Sequence, residues 1–580
     1  MARQLERFDN LIALFLARAE EKGDAPFLWA KCEGQWRSTS WAEAAREVAA
    51  LAASLKGLGL ERGDRVALVS ENRPEWLISD LAIMTAGCVT VPTYTTNTTR
   101  DHAHILGNSG ARAVIVSNQK LAKNLIPAVL NSSDCHHIIG IEEIRSGQLP
   151  DWVSCHQWST LVTAGDVAAL KQAVAGMTRE DLACIIYTSG TGGAPRGVQQ
   201  HHGAILHNLE GATDIISTDF GWDDEVFLSF LPASHAYEHM GGQMFPIALG
   251  AQVYYAESLE KLAANIEEVQ PTIMVVVPRL FEMLRARILK SVEGQGGLSN
   301  YLLHRALKIG GDKYNGRLKP WDVPMDGILS LTLRKKIRQR FGGRQKAWVS
   351  GGAPLNPEVG VFFQSLGITF LQGYGQTEAA PLISCNRPSV GIRLDTVGPP
   401  VKNCEVRIAD DGEIMVRGEN VMRGYWHNPE ETARVLKDGW LATGDVGHFD
   451  DKGRIVITDR KKDILVNDKG DNVSPQRIEG MLTLQAEIAQ AMIYGDRRPH
   501  LVALLVPDPE IAGKPDMQQR LQAAVDRVNA DLSVIERIRR FILADGAFTI
   551  ENEQLTPSLK IRRHIISQVY GERLDALYKR

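Results

Sequence analysis

The stretch LACIIYTSGTGGAPRGV, Leu182 to Val198, decides how this chain is read. Its first six residues make a short apolar run suited to a strand buried on both faces. The next ten bring Gly190, Gly192, Gly193 and Gly197 together with three hydroxyls, Thr188, Ser189 and Thr191. A glycine-rich turn leaving a strand aims a row of backbone N–H groups at an anion. Small residues let that backbone come close, and the hydroxyls add donors. The turn is not a Walker A loop. Gly192 and Gly197 have the required separation, but Val198 stands where that motif needs lysine.

The flanking sequence supplies the sheet such a turn needs. SWAEAAREVAALAASLKGLG opens with a capping box, Ser40 and Glu43, and carries Val48, Leu51, Leu55 and Leu58 at helical spacing. Apolar runs follow at Arg65–Ser70, in CVTVP and at Ala113–Ser117, separated by helical patterns. Strands alternating with helices predict parallel sheets covered on both faces, an α/β fold. From about residue 396 to 459 the texture shifts. CEVRIA, GEIMVRG and GRIVIT alternate with Asp-Gly and Lys-Gly turns, predicting a small β-rich subdomain. DRKKD then forms a charged break at Asp459–Asp463, and the remainder suits a small α+β domain with LVALLVP as a strand. The expected division is a large N-terminal domain, 1–459, and a smaller C-terminal domain, 460–580.

Bulk composition narrows the function classes. A chain of 580 residues is too long for one hydrophobic core. Lys+Arg number 65 against 69 Asp+Glu, a net charge of −4, which gives no footprint for nucleic-acid binding. Seven cysteines without a C-x-x-C pair indicate reduced thiols rather than a disulfide framework or a cysteine zinc site. No stretch approaches the ~20 apolar residues of a membrane span, and the N-terminus is not a signal peptide. A cytoplasmic enzyme is expected, with peripheral contact at the inner face of a membrane left open.

Six further motifs carry chemistry in order: LPASHAYEHMGG (Leu231–Gly242), SGGAPL (Ser350–Leu355), QGYGQTEAAP (Gln372–Pro381), GWLATGDVG (Gly439–Gly447), DRKKDILV (Asp459–Val466) and LTPSLKIRR (Leu555–Arg563). In this order, over residues from about 10 to about 570, the chain resembles the adenylate-forming (AMP-binding) superfamily. Within it, the chain looks like the long-chain fatty acyl-CoA synthetases.

The resemblance implies a two-step ligase. A carboxylate and MgATP give acyl-adenylate and pyrophosphate, and CoA then displaces AMP. It implies that Thr188, Ser189, Gly190 and Thr191 cradle the β- and γ-phosphates. Arg196 stands where relatives carry lysine, keeping the charge but replacing an ammonium by a planar fork. Gln372, Gly373, Tyr374 and Gly375 would line the nucleotide with Gly352 and Ala353, the tyrosine stacking on adenine. Thr377 would meet the α-phosphate, and Glu378 with Thr188 would hold Mg²⁺, whose hardness suits oxygen ligands. Asp445 and Arg460 would fix the ribose and His235 would line the carboxylate site. Lys560 would stabilise the charge that builds in adenylation. The C-terminal domain would rotate about Lys462 between steps. One departure stands at Val466, where relatives often carry a lysine serving the second step.

Alternatives stay open. The acid could be another hydrophobic carboxylate, and the acceptor thiol a carrier-protein phosphopantetheine. His235, Glu238 and His239 also spell H-x-x-E-H, the pattern of inverted zinc metallopeptidases, although Pro232 and Gly241-Gly242 crowd the helix such a site needs. About 65 residues separate PRLFEML from SGGAPL, the long connection that points to the long-chain branch. Within it, Arg334, Lys335, Lys336, Arg338 and Arg340 beside Leu331, Leu333, Ile337 and Phe341 read either as a lipid-facing basic helix or as one packed on its own domain. The oligomeric state is not fixed by sequence; a homodimer is compatible.

Overall fold

The computed structural model describes residues 4–579 except 146, 148, 164, 189–193, 294, 295, 470, 550 and 557–560. Ser189, Gly190, Thr191 and Lys560 therefore lie outside the described residues.

Two eight-stranded sheets form the body. One runs in the order Leu382–Cys385, Phe370–Gly375, Ala347–Ser350, Ile273–Val276, Val226–Ser229, Gln252–Tyr255, Pro26–Cys32, Gln35–Ser40. Its six inner strands are parallel, and its edges are antiparallel. The other runs Gly424–Tyr425, Arg196–His201, Leu182–Thr188, Val89–Thr93, Arg65–Val69, Ala111–Val116, His137–Gly140, Ser154–Gln157, also with six parallel neighbours. Strands such as Val89–Thr93 are buried along their whole length, which is why they read as unbroken apolar runs. Helices seal both faces. The helix Trp41–Gly57 starts at the expected capping box: Glu43 N–H donates to Ser40 Oγ at 3.2 Å and Ser40 N–H to Glu43 Oε2 at 2.8 Å. Its Trp41 stacks on Phe27 with ring centroids 3.6 Å apart, pinning the helix to the sheet.

The β-rich stretch forms a five-stranded sheet from Glu405–Ile408, Glu413–Arg417, Leu436–Lys437, Trp440–Phe449 and Ile455–Arg460. Gly424–Tyr425, in the middle of that stretch, leaves it to pair with Arg196–His201. The chain then turns tightly, with Asp463 N–H and Ile464 N–H both donating to the Arg460 carbonyl. Beyond it lies a three-stranded sheet, Ile488–Tyr494, Leu501–Pro507 and Ile538–Leu543, with helices Pro475–Thr483, Met517–Ala530 and Arg563–Ala576. This part touches the body through Leu484 and a Lys290–Glu510 ion pair of 2.7 Å. No helix among the described residues is long and apolar enough to cross a membrane.

The basic segment 331–341 is divided between the two readings, one side packed on its own domain and the other exposed. Leu333 and Ile337 pack against the body's own core, and Arg334 is buried, bonded to Asp326 and to the Ser365 carbonyl. Arg334 is thereby removed from the outward-facing charge, while Leu331, Lys335, Lys336, Arg338 and Arg340 remain exposed.

Candidate functional site

The motifs converge because parallel strands all end on the same side, and crevices open beyond those carboxyl ends. Val226–Ser229, Ala347–Ser350 and Phe370–Gly375 lead into LPASH, GGAP and QTE respectively. The other sheet's Leu182–Thr188 leads into the glycine turn. The helix His202–Asp219 ties the two sheets together. Its Asn208 amide donates to the Ala379 carbonyl at 3.2 Å and accepts from Leu382 N–H. Gln200 Nε2 donates to the Thr377 carbonyl at 2.7 Å.

At the centre, Asp445 is almost fully buried and accepts from Tyr374 OH at 2.7 Å and from Arg460 Nε at 3.0 Å. Each carboxylate oxygen thus uses one lone pair and keeps another, enough to accept from two vicinal hydroxyls. Burial, and Asp445 beside it, hold the Tyr374 phenol far above its ordinary range, so it stays a donor. The Arg460 guanidinium is likewise held protonated; desolvation opposes this, and Asp445, Asp463, Tyr374 and Glu378 outweigh it. Gln372 is the register partner of Ser350, and both keep a buried oxygen, Oε1 and Oγ, without a hydrogen-bond partner among the described residues. Next to them Gly352 sits at φ +78°, and a Cβ built there meets no atom within 4 Å, so bare backbone faces open space. Gly375 is glycine for the opposite reason: a Cβ would lie 1.8 Å from the Pro381 carbonyl oxygen.

A second line of residues runs from the glycine turn to Glu378. Arg196 ion-pairs with Glu431 and lies 4.5 Å over the Tyr425 ring. Tyr425 OH donates to Glu378 Oε1 at 2.8 Å, and Met422 N–H to the Glu378 carbonyl at 2.9 Å. Glu378 Oε2 accepts no hydrogen bond from the described residues. Tyr425 was invisible to sequence patterning because its strand is two residues long. Removing its hydroxyl (Tyr425→Phe) frees the carboxylate to swing. Supporting groups behind a metal ligand, the role the resemblance implies for Glu378, are worth at least about tenfold in metal affinity. We therefore expect the half-saturating Mg²⁺ for pyrophosphate release to rise about tenfold. An unchanged Mg²⁺ titration would remove Tyr425 from the site.

His235 caps a short turn, its Nδ1 accepting from Tyr237 N–H at 3.1 Å. With Nδ1 accepting, the neutral tautomer carries its proton on Nε2. Tyr237 OH donates to the Val349 carbonyl at 2.6 Å, holding this loop against the GGAP strand. The zinc alternative does not survive. His239 is fully buried with its Nε2 engaged by Asp80 Oδ2 at 2.8 Å, while His235 Nδ1 is engaged by Tyr237 N–H. Glu238 is fully buried, accepting from Ser229 Oγ at 2.6 Å, and no group of three metal-ligating side chains occurs among the described residues.

Burial pushes the Glu238 carboxyl up to about 8, the Ser229 and Gln243 hydrogen bonds opposing only in part. The folded state therefore keeps a proton that the unfolded chain, with an ordinary carboxyl near 4.5, releases. Where the native state binds more protons, stability falls as pH rises, here from about 4.5 towards 8. Glu238→Gln removes this dependence. It should gain a few kcal/mol relative to wild type at alkaline pH and little below pH ~5. Urea unfolding of both proteins at the two ends of that window checks it, and parallel profiles would refute it.

Of the expected site residues, Gln372, Gly373, Tyr374, Gly375, Thr377, Glu378, Asp445 and Arg460 occupy one continuous patch, with Gly352 and Ala353 on the neighbouring strand end. Lys462 lies apart, exposed in the turn after Arg460. Val466 is also exposed, in the two-residue strand beyond it.

A parallel α/β body with the Tyr374–Asp445–Arg460 hydrogen-bonded set beside it suits an enzyme that handles a nucleotide. Comparison with known families agrees: residues 15–426 match the AMP-binding enzyme family and residues 462–580 the AMP-binding enzyme C-terminal domain, so the chain belongs to that family. It is 30% identical to the long-chain-fatty-acid–CoA ligase FadD15 of Mycobacterium bovis, over 99% of this chain and 97% of that one. It is 27% identical to the chloroplastic long-chain-fatty-acid–[acyl-carrier-protein] ligase AEE15 of Arabidopsis thaliana, over 97% and 86%. Its fold is similar to that of the adenylation domain of a carboxylate reductase from Mycobacterium chelonae, with TM-score 0.76, 22% identity and coverage of 99% and 92%.

Proposed function

We infer that this enzyme activates a long-chain fatty acid with ATP and transfers the acyl group to CoA. The observation that supports it most is the buried Tyr374–Asp445 pair, with the partly exposed Arg460 on the same carboxylate, and the open backbone at Gly352. It offers a hydroxyl-accepting carboxylate next to a slot for a flat ring. The long-chain choice is supported by the 30% identity to a long-chain-fatty-acid–CoA ligase over nearly all of both chains.

In the first step a carboxylate oxygen attacks the α-phosphorus and the O–P bond to pyrophosphate breaks. Asp445 and Arg460 hold the ribose, Gly352 and Ala353 lie along the base, and the His235 Nε2–H orients the acid. Thr188, Ser189, Gly190 and Thr191 hold the departing phosphates. Glu378, with Thr188, would hold Mg²⁺; their oxygens fit a hard cation, and when bound it neutralises phosphate charge. In the second step the thiol sulfur attacks the acyl carbon and AMP leaves with the bonding pair. The proposed division is an N-terminal domain, 1–459, and a C-terminal domain, 460–580, with the turn at Lys462 as hinge. Hinges need not be glycine.

The test is pyrophosphate release with MgATP across acetate, octanoate, palmitate, oleate and benzoate, with and without CoA. Release with the long chains, and thioester only with CoA, is expected. No release with any fatty acid would overturn the reading. A second reading, a carrier-protein acceptor, is favoured by Val466 standing where relatives often carry lysine and by the likeness to AEE15. Pyrophosphate release without acyl-CoA would select it.

A further inference from the structure

The connection between the two sheet-end motifs carries a surface that the catalytic reading does not use. Residues 297–346 hold twelve Lys and Arg against three Asp, in a chain whose net charge is −4. Two of the three acids are consumed internally. Asp322 is buried against Arg305, and Asp326 pairs with Arg334 at 2.5 Å and Lys313 at 3.2 Å. Among the described residues, no carboxylate lies within ion-pair distance of Arg317, Lys319, Lys335 or Lys336, and all four are exposed.

Beside these cations the helix Val323–Leu331 turns an apolar side outward. Only Leu329 of this helix is buried. Val323 and Ile328 are 54% exposed and Leu331 is 77% exposed, with Pro324 and Gly327 exposed between them. The single charge on the helix, Asp326, faces inward to Arg334. Trp321, one residue before the helix, is 72% exposed with the Lys319 ammonium 5.5 Å from its ring centroid. A surface helix normally puts polar side chains outward, so this one is inverted on its outer face.

We propose that this face, Trp321 with Val323, Ile328 and Leu331 inside a rim of Arg317, Lys319, Lys335 and Lys336, docks the enzyme on an anionic phospholipid bilayer. Tryptophan settles at the headgroup level and aliphatic side chains enter the acyl boundary. Unpaired cations meet lipid phosphates in the anionic surface potential. A protein partner fits less well: lysine is depleted from protein interfaces, whereas here lysines ring the patch. Fatty acids partition into the same boundary, so the docked enzyme would draw on a surface pool. The docking does not depend on which acid or thiol the enzyme uses.

The experiment is co-sedimentation of the full chain with vesicles of phosphatidylcholine alone, or with about a third phosphatidylglycerol, at low and high salt. Wild type should sediment with the anionic vesicles and be released by salt. Ile328→Ser/Leu331→Ser and Lys335→Glu/Lys336→Glu should each weaken partitioning at least about tenfold. Both variants change only exposed side chains, and their pyrophosphate release with palmitate in the absence of vesicles should match wild type. Failure of wild type to bind anionic vesicles at low salt would overturn the proposal and leave the face to a protein. Equal binding by wild type and both variants would overturn it too, by placing the contact elsewhere.

Discussion

Lys560→Ala is expected to lower pyrophosphate release by about a hundredfold to a thousandfold while leaving thiolysis of supplied acyl-adenylate within a few-fold of wild type. The physical case rests on the transition state. A carboxylate approaching the α-phosphorus adds negative charge to a crowded anion, and a cation beside the bridging oxygens is worth more there than in the ground state. When a thiol attacks the acyl carbon, charge builds instead on the acyl carbonyl oxygen, and AMP leaves without new charge at the α-phosphorus. Lys560 itself lies outside the described residues; on either side of it Leu555 pairs with Ile561 and Arg562 N–H donates to the Gln554 carbonyl at 2.8 Å. Measuring the two half-reactions separately decides the matter. Equal loss of both would mean the lysine supports the fold or the domain, not adenylation.

Asp445→Asn should raise the KM for ATP about tenfold to a hundredfold, with a smaller change in kcat. Asp445 faces two donors at once, Tyr374 OH and Arg460 Nε. Asparagine can turn its carbonyl to only one of them and sets an N–H₂ against the other. Hydrogen bonds to a charged group contribute about 1.5–3 kcal/mol, which sets the range. Tyr374→Phe loses a single bond and should cost about tenfold, the lower end of that range. Pyrophosphate release against ATP concentration, at saturating acid, measures both. An unchanged KM in Asp445→Asn would take the ribose away from this carboxylate. A larger effect in Tyr374→Phe than in Asp445→Asn would mean that Tyr374, not Asp445, is the contact.

Much of this site was legible because its residues lie in short contiguous motifs. GYGQTE places Tyr374, Thr377 and Glu378 within one strand end and the turn after it, so local order fixed their proximity. The Asp445–Arg460 contact was legible in part, since the two motifs sit on antiparallel neighbours, Asp445 opposite Arg460. Tyr425 was not legible. It reaches Glu378 only because two residues of a β-rich stretch leave their own sheet for the edge beside Arg196. No periodicity records such a switch. The basic segment 331–341 shows the converse: its charge pattern suited a lipid-facing helix, and tertiary packing turned Arg334 inward.

The sequence by itself determined the parallel α/β body, the order of the motifs and the family to which the chain belongs. Apolar period, capping residues and glycine turns are local properties, and local physics reads them directly. Only the tertiary structure decided that both Asp445 oxygens are already engaged, that Glu238 is a buried acid rather than a base, and that the helix Val323–Leu331 presents its apolar side outward. Each of these depends on what the rest of the chain leaves beside a residue. Burial and the partners within reach, not the residue type, set whether a carboxyl is charged or an apolar face is covered.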